Sequence, residues 1–142
     1  MRANITLTPK QLGVALIAVS TGGAAGTLVR DLTLKFQHVV PMSSPHPSWQ
    51  SQIPWVLLAI NFVGVLVATS LMRGPLRHHD PNDPMRLLVI TGVLGGFTSY
   101  SSLFASLADI WHLSVSAGIL VGAAALTSGV VAAWLGLRVR LR

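Results

Sequence analysis

Hydroxyl side chains are concentrated in one stretch of an otherwise apolar sequence, where they could bind an ion. The stretch follows the pair Gly95-Gly96 and reads FTSYSSLF. A serine hydroxyl can donate its proton to an anion, and the electropositive edge of an aromatic ring can also face one. The candidates for anion contact are Ser99, Tyr100, Ser101, Ser102 and Phe104. The alternative is a packing face of small residues with two aromatic residues near the membrane interface.

A side-chain amide lies in a second apolar stretch, WVLLAINFVGVLVATSLM, which contains Asn61. A primary amide in such surroundings must be hydrogen-bonded or hydrated, because an unbonded polar group is costly in an apolar environment. Its NH2 group offers two protons. Asn61 could therefore bond to a neighbouring helix or donate to a permeating anion, and the spacing favours neither interpretation.

Other chemistries lack the residues that they need. The chain has neither Cys nor Glu, which excludes disulfides, thiolate metal sites and Cys nucleophiles. Its five histidines form no metal-binding pair at helical spacing, and the sequence shows neither a Ser/His/Asp set nor a phosphate-binding glycine loop. The net charge is +6, but the basic residues flank apolar runs rather than a polar face that would bind nucleic acid. We expect neither an enzyme nor a nucleic-acid partner.

The elements that carry these residues are long and apolar. Hydrophobic residues make up 51% of the 142 residues and charged residues 10%, against about 25% charged in soluble domains. Four apolar runs each approach the roughly 20 residues of a membrane-spanning helix. We predict an all-α integral membrane protein, one four-helix domain over residues 1–142 with helices at about 11–30, 55–73, 87–108 and 113–137. Adjacent glycines followed by Thr and Ser weaken a helix, so the third should be broken at Gly95-Gly96.

Lys and Arg are distributed unevenly between the two ends of these helices. Four spans bring both termini and the middle connection to one side. That side carries Arg2, Lys10, Arg73, Arg77, Arg86, Arg138, Arg140 and Arg142, whereas the other carries Arg30 and Lys35. Eight basic residues against two predict a multi-pass protein of the plasma (inner) membrane with cytoplasmic termini.

The first apolar run contains small residues and ends near a cation. Gly22 and Gly26 have the small-x-x-x-small spacing that lets helix backbones approach closely. Arg30 lies one turn further along the same face. Its guanidinium could extend to the interface or hold an anion at the mouth of a pore, and the spacing favours the first of these.

Three segments together resemble the Fluc/CrcB family of fluoride channels. Residues 95–102, GGFTSYSS, are similar to the family's GGFTTFST motif. Residues 22–30, GGAAGTLVR, resemble its glycine-rich first-helix motif that ends in Arg. Asn61 with Gly64 resembles its second-helix Asn-x-x-Gly. The resemblance covers all four runs.

The resemblance implies a small four-helix subunit that forms an antiparallel, dual-topology-type dimer with two fluoride pathways at the interface. Fluoride would leave the cytosol passively, which reduces its toxicity. By motif position, a structural sodium ion would be held by the backbone carbonyls of Gly95 and Thr98. The pathway residues implied are Asn61, Tyr100, Ser101 and Ser102, with Phe104 as a further candidate; Arg30 would be a vestibule or structural residue.

Departures from the family pattern keep other functions open. The second aromatic position falls on Leu103, with Phe104 one residue late, and the polar track of the fourth helix is replaced by the stretch from Val121 to Gly129 with Ala125 inside. One alternative is a non-conducting structural subunit of a heterodimeric channel. Another is a small multidrug-type exporter, which needs an intramembrane carboxylate, whereas this chain has no Glu and carries Asp109 only at a helix end.

The charge bias also bears on the partner. An antiparallel homodimer requires one sequence to insert in both orientations, and a count of eight against two opposes that. We expect the partner to be an oppositely inserted paralogue, with a second copy of this chain as the alternative.

Overall fold

The computed structural model describes residues 8–37, 49–80 and 82–139. Over those residues it contains four helices that are long and apolar enough to cross a membrane. They are α1 (Pro9–Gln37), α2 (Trp55–Arg73), α3 (Pro84–Leu113, assembled from shorter helical pieces) and α4 (Val115–Arg138). The prediction of an all-helical membrane protein with four spans is confirmed. Three of the basic residues counted for the cytoplasmic side, Arg2, Arg140 and Arg142, lie outside the described residues.

The N-terminus of α1 is capped by its own side chains. The hydroxyl of Thr8 accepts from the N–H of Gln11, and the Gln11 side-chain oxygen accepts from the N–H of Thr8 at 3.0 Å. This reciprocal capping box leaves Pro9 at the first helical position, where its missing N–H costs nothing. The helix continues to Gln37, seven residues beyond the expected end, so Arg30 lies inside it rather than at its last position.

Glycines bring α1 and the first half of α3, residues 84–97, into backbone contact. A Cβ on Gly26 would collide with the Val93 carbonyl, and one on Gly96 would collide with the Gly23 carbonyl. A Cβ on Gly92 would lie 2.9 Å from the Cα of Gly22. We call these four residues, Gly22, Gly26, Gly92 and Gly96, the glycine seam. It confirms that Gly22 and Gly26 serve close helix packing.

The break in α3 lies at Thr98 and Ser99, not at Gly95-Gly96 as predicted. Gly95 keeps right-handed helical angles (φ −64°, ψ −39°), whereas Thr98 (φ −81°, ψ 141°) and Ser99 (φ −148°, ψ 98°) are extended. Gly96 is small because it packs against α1, a role that needs no break in the helix. The preceding stretch Leu87–Leu94 is π-helical, a wider form often found near functional sites.

The second half of α3, Tyr100–Leu113, packs against α4 through side chains. Leu103, Leu107 and Ile110 share one face, and each is at most 2% exposed. They pack in one cluster with small or medium residues of α4, namely Ala117, Val121 and Ala125. This is large-into-small packing of the kind that gives membrane helices their van der Waals contact.

The ends of α2 and α4 meet at one end of the bundle. The guanidinium of Arg73 donates to the carbonyl of Leu137, and that of Arg138 lies 3.7 Å from the centre of the Trp134 ring. The connection that carries Arg77 and Arg86 begins at this same end. Most of the described basic residues are therefore gathered at one end, as the sequence count predicts.

Candidate ion pathway

Asn61 connects α2 directly to the break in α3. Its Oδ1 accepts a hydrogen bond from the N–H of Ser99 at 2.8 Å, and its Nδ2 donates to the carbonyl of Ser99 at 3.4 Å. The side chain is 4% exposed. The interhelical hydrogen bond considered from the sequence is thus present. It uses one of the two amide protons, so the second remains free to donate elsewhere.

Gly64 lies one turn after Asn61 and faces the same break. A Cβ on Gly64 would collide with the Thr98 side-chain methyl. The hydroxyl of Thr98 points back and donates to the Leu94 carbonyl at 2.9 Å. The Asn-x-x-Gly spacing therefore has a physical basis, because the amide binds the extended backbone and the glycine admits the side chain next to it.

Two carbonyls at the break lose the donors that a continuous helix would provide. The N–H of Ser99 would donate to Gly95 in an α-helix, but it donates to Asn61 instead. The N–H of Ser102 would donate to Thr98, but it donates to the Ser99 hydroxyl at 3.3 Å, which caps the second half of α3. A cavity of about 140 Å³ between α2 and α3 is lined by Gly64, Leu94, Gly95 and Thr98 among others.

Three serine hydroxyls form a hydrogen-bonded cluster at the same point. The Oγ of Ser99 lies 3.2 Å from that of Ser101 and 2.8 Å from that of Ser102. Ser99 is buried, Ser102 is half-buried and Ser101 is exposed. Because each hydroxyl has one proton and can rotate, the cluster can turn a proton outward toward an anion at little cost.

The aromatic candidates differ in burial, although they lie only one helical turn apart in α3. Tyr100 is partly buried against the core that contains Leu103, whereas Phe104 is 51% exposed. Ser101 shares the exposed face of Phe104, three residues apart. The structure thus brings Asn61, Ser99 and Ser102 together and leaves Phe104 facing away from the bundle core.

Arg30 is paired with its neighbour in α1. Its Nε and Nη2 each lie 3.3 Å from an Asp31 carboxylate oxygen, and both residues lie beyond the glycine seam. The carboxylate partly neutralises the guanidinium. The sequence interpretation overlooked this pairing, although the adjacent acid was visible.

Two roles of Ser99 also escaped the sequence interpretation, which treated it as one hydroxyl among several. Its backbone binds Asn61 and its side chain caps the second half of α3. The helix-start signal was present, since a serine stands immediately before the helix that begins at Tyr100. Among the described residues, no group of three potential metal-ligating side chains comes together, so a cation here would depend on carbonyls.

Comparisons with known proteins show what the whole chain is similar to. The CrcB-like protein family (camphor resistance, CrcB) matches residues 17–137. The fluoride-specific ion channel FluC of Agrobacterium fabrum is 38% identical over 91 residues, which are 64% of this chain and 65% of that protein. FluC 1 of Cutibacterium acnes is 38% identical over 60% of this chain and 55% of its own length. FluC of a Chelativorans species is 28% identical over 86% of this chain and 92% of its own length.

The first two alignments span less than two thirds of those relatives' own lengths, whereas the family match covers all four helices. It includes the glycine seam, Asn61 and the break. All three of these relatives are named fluoride-specific ion channels. The chain belongs to the CrcB/FluC family.

Proposed function

We propose that the protein is a subunit of a fluoride-selective channel that lets cytosolic fluoride leave the cell passively. The observation that carries the proposal is the buried amide and hydroxyl cluster at the break in α3 (Asn61 with Ser99, Ser101 and Ser102), inside a chain whose relatives are named fluoride-specific channels. The plasma (inner) membrane is its location, with the termini on the cytoplasmic side.

The donors at the break suit a small, strongly hydrated anion. Fluoride gives up its water only where other donors replace it, and the free Asn61 proton, the hydroxyls of Ser101 and Ser102 and the side chains of Tyr100 and Phe104 supply them. None of these groups carries a full charge. Arg30, the nearby cation in α1, is partly neutralised by Asp31. Weak binding at several such points permits an ion to enter and also to leave.

A structural sodium ion fits the break. The carbonyls of Gly95 and Thr98 lack their helical donors, because those N–H groups bond to Asn61 and Ser99. Free carbonyls of broken helices are the groups that hold Na⁺ in membrane proteins. Gly95 and Thr98 would hold the ion, which would supply a fixed positive charge to the subunit assembly. We expect complete replacement of Na⁺ by a large organic cation to abolish fluoride efflux; unchanged efflux and stability would contradict the site.

The functional unit is an antiparallel dimer whose second subunit is an oppositely inserted paralogue. The support is the charge distribution, since Arg73, Arg77, Arg86 and Arg138 lie toward one end of the bundle and Arg30 and Lys35 toward the other. Such a bias opposes insertion in both orientations. A reporter fused to the C-terminus should be detected on the cytoplasmic side alone; detection on both sides, with efflux from this chain alone, would support a homodimer instead.

Fluoride efflux from liposomes is the direct test. Vesicles that contain the protein together with a co-expressed paralogue should release fluoride and retain chloride, whereas vesicles that contain this chain alone should release neither. Asn61→Asp should abolish efflux in a protein that still assembles, because it puts a negative charge beside the path. The matched control is Asn82→Asp, the same change in the exposed connection before α3, which should leave efflux unchanged. Equal efflux from both variants would refute the assignment of Asn61.

A second candidate function is that of a non-conducting structural subunit. It is favoured by Leu103, an aliphatic residue that is 1% exposed in the core, at a position where the resemblance expects an aromatic one. In that case Asn61→Asp in this chain would leave the efflux of the heterodimer intact, and the same change in the paralogue would abolish it.

A further inference from the structure

The phenol of Tyr100 lies against α4 at a glycine. A Cβ built on Gly129 would be 2.7 Å from the Tyr100 hydroxyl oxygen, closer than carbon and oxygen approach in proteins. Apart from residues 128 and 130 and the nearby backbone of α4, the next atom is the ring carbon that bears this oxygen, at 3.9 Å. Glycine at residue 129 is therefore what lets the phenol reach the helix, and the oxygen occupies the space of a side chain on α4.

The hydroxyls that α4 itself carries nearby are bonded to its own backbone. The Thr127 hydroxyl lies 2.9 Å from the Ala123 carbonyl, and the Ser128 hydroxyl donates to the Ala125 carbonyl at 2.8 Å. In this arrangement both protons are directed to carbonyls of α4 itself. The Tyr100 hydroxyl lies at the same level of α4 but, unlike those of Thr127 and Ser128, is not bonded to the α4 backbone.

The Tyr100 hydroxyl makes no hydrogen bond to any residue that the structure describes. A phenol O–H left unbonded within a membrane is costly, so it needs a partner other than the residues that the structure describes. Tyr100 also follows Ser99 directly, at the start of the second half of α3, beside the hydroxyl cluster. Tyr100 and the hydroxyl cluster therefore share the first turn of the second half of α3.

We propose that the Tyr100 phenol donates a hydrogen bond to the permeating anion and contributes to its preference for fluoride over chloride. Gly129 is the positioning residue that leaves room for the phenol. The inference deepens the proposed function and rests on it. A phenol is a stronger acid than an aliphatic alcohol, so its O–H is a strong hydrogen-bond donor. Such a donor favours the smaller anion with its more concentrated charge, because attraction grows as the separation shrinks.

The two residues depart from the family pattern in complementary ways. Where the resemblance expects Phe on α3, this chain has Tyr100, and where it expects a polar track on α4, this chain has a stretch that ends in Gly129. The structure joins these two departures in one contact. The Tyr100 hydroxyl on α3 thus takes the place of a hydroxyl that the resemblance expects on α4.

A double-variant cycle tests this exchange in the liposome assay, with the paralogue present if the wild type requires it. Tyr100→Phe should lower fluoride efflux about tenfold or more and narrow the ratio of fluoride to chloride, because one donor to a charged ligand is lost. Gly129→Ser should also lower efflux, since its side chain collides with the phenol. Tyr100→Phe with Gly129→Ser should recover much of the wild-type efflux, because it returns a hydroxyl to α4. Gly122→Ser is the control: a Cβ there is in ordinary contact, 3.6 Å from the Leu107 methyl, and efflux should be unchanged.

Each outcome decides the question. Wild-type efflux and selectivity in Tyr100→Phe would overturn the inference while leaving the proposed function intact. If Tyr100→Phe loses thermal stability, the double variant decides: recovered efflux supports the donor role, and absent recovery overturns it. Wild-type vesicles that release no fluoride, with or without the paralogue, would instead contradict the proposed function and this inference with it.

Discussion

The two halves of α3 contact their neighbours in different ways. Before the break, the helix meets α1 backbone to backbone through the glycine seam. After the break, it meets α4 through large side chains such as Leu103 and Ile110 that pack onto Ala125 and other small residues. In lipid no hydrophobic force drives helices together, so both halves depend on van der Waals contact. The first half gains this contact because its glycines have no side chains, and the second half gains it because its large side chains pack against small ones.

The difference explains where α3 breaks. Backbone contact with α1 fixes the position of the first half, and side-chain packing on α4 fixes that of the second. Thr98 and Ser99 join two helices that are fixed independently, and Asn61 supplies the hydrogen bonds that the broken ladder gives up. The carbonyls released there are a consequence of this join. Substitutions in the two halves should therefore lower the stability of the protein for different reasons.

The largest loss of stability is expected in the side-chain half. Leu103→Ala should reduce the free energy of unfolding by about 3 kcal/mol, because it opens a cavity in a tightly packed cluster. Phe104→Ala, one residue later on the exposed face, should cost much less. Reversible unfolding in detergent micelles measures both. Equal losses would mean that the two faces of this helix do not differ in packing.

In the first half of α3, which packs backbone to backbone, adding a methyl group should lower the stability of the protein. This is the opposite of the second half, where removing side-chain atoms lowers it. Gly26→Ala should destabilise the protein by about 2 kcal/mol, since the new Cβ collides with the Val93 carbonyl. Gly23→Ala is the matched control, because a Cβ there has nothing within 4 Å and alanine favours the helix. The same unfolding assay applies, and a Gly23→Ala variant as unstable as Gly26→Ala would contradict the seam.

At the join itself, the loss of a cap should cost about 1 kcal/mol in Ser99→Ala. Ser114→Ala removes the corresponding cap at the start of α4 and should cost about as much. Only Ser99 contacts the hydroxyls of Ser101 and Ser102, so only its variant should also lower fluoride efflux. Unaltered efflux in Ser99→Ala would separate the hydroxyl cluster from the ion path.

The smallest effect is expected at the start of α3, outside the membrane. A hydrogen bond with the His79 ring, with a second from the Met85 N–H, holds the pKa of Asp83 below its usual range. A lowered pKa in the folded state gives stability that is present above about pH 4 and is lost as the pH falls through the folded value. Asp83→Asn keeps a capping oxygen but cannot titrate, so thermal melts should lose part of their acid sensitivity. Identical melts at low pH in both proteins would argue against this.

Much of the architecture was predictable because membrane helices are specified locally. Long apolar runs predicted the four spans, and the spacing of Gly22 and Gly26 predicted close packing. The exact break was not predictable, because Gly95 and Gly96 weaken a helix in isolation. The contact of Gly96 with α1 helps to keep this stretch helical, and the distortion falls on Thr98 and Ser99 instead. That outcome depends on a neighbour distant in the sequence.

The sequence by itself determined the class of the protein, its spans, its charge bias and the residue types at the candidate ion pathway, because hydropathy and charge act residue by residue. The tertiary structure alone decided what those residues bond to. In the folded protein the Asn61 amide is hydrogen-bonded to the Ser99 backbone, the Tyr100 hydroxyl contacts Gly129, and Phe104 is exposed. These pairings join residues dozens of positions apart, and only the packing of one helix on another determines which groups are within hydrogen-bonding distance.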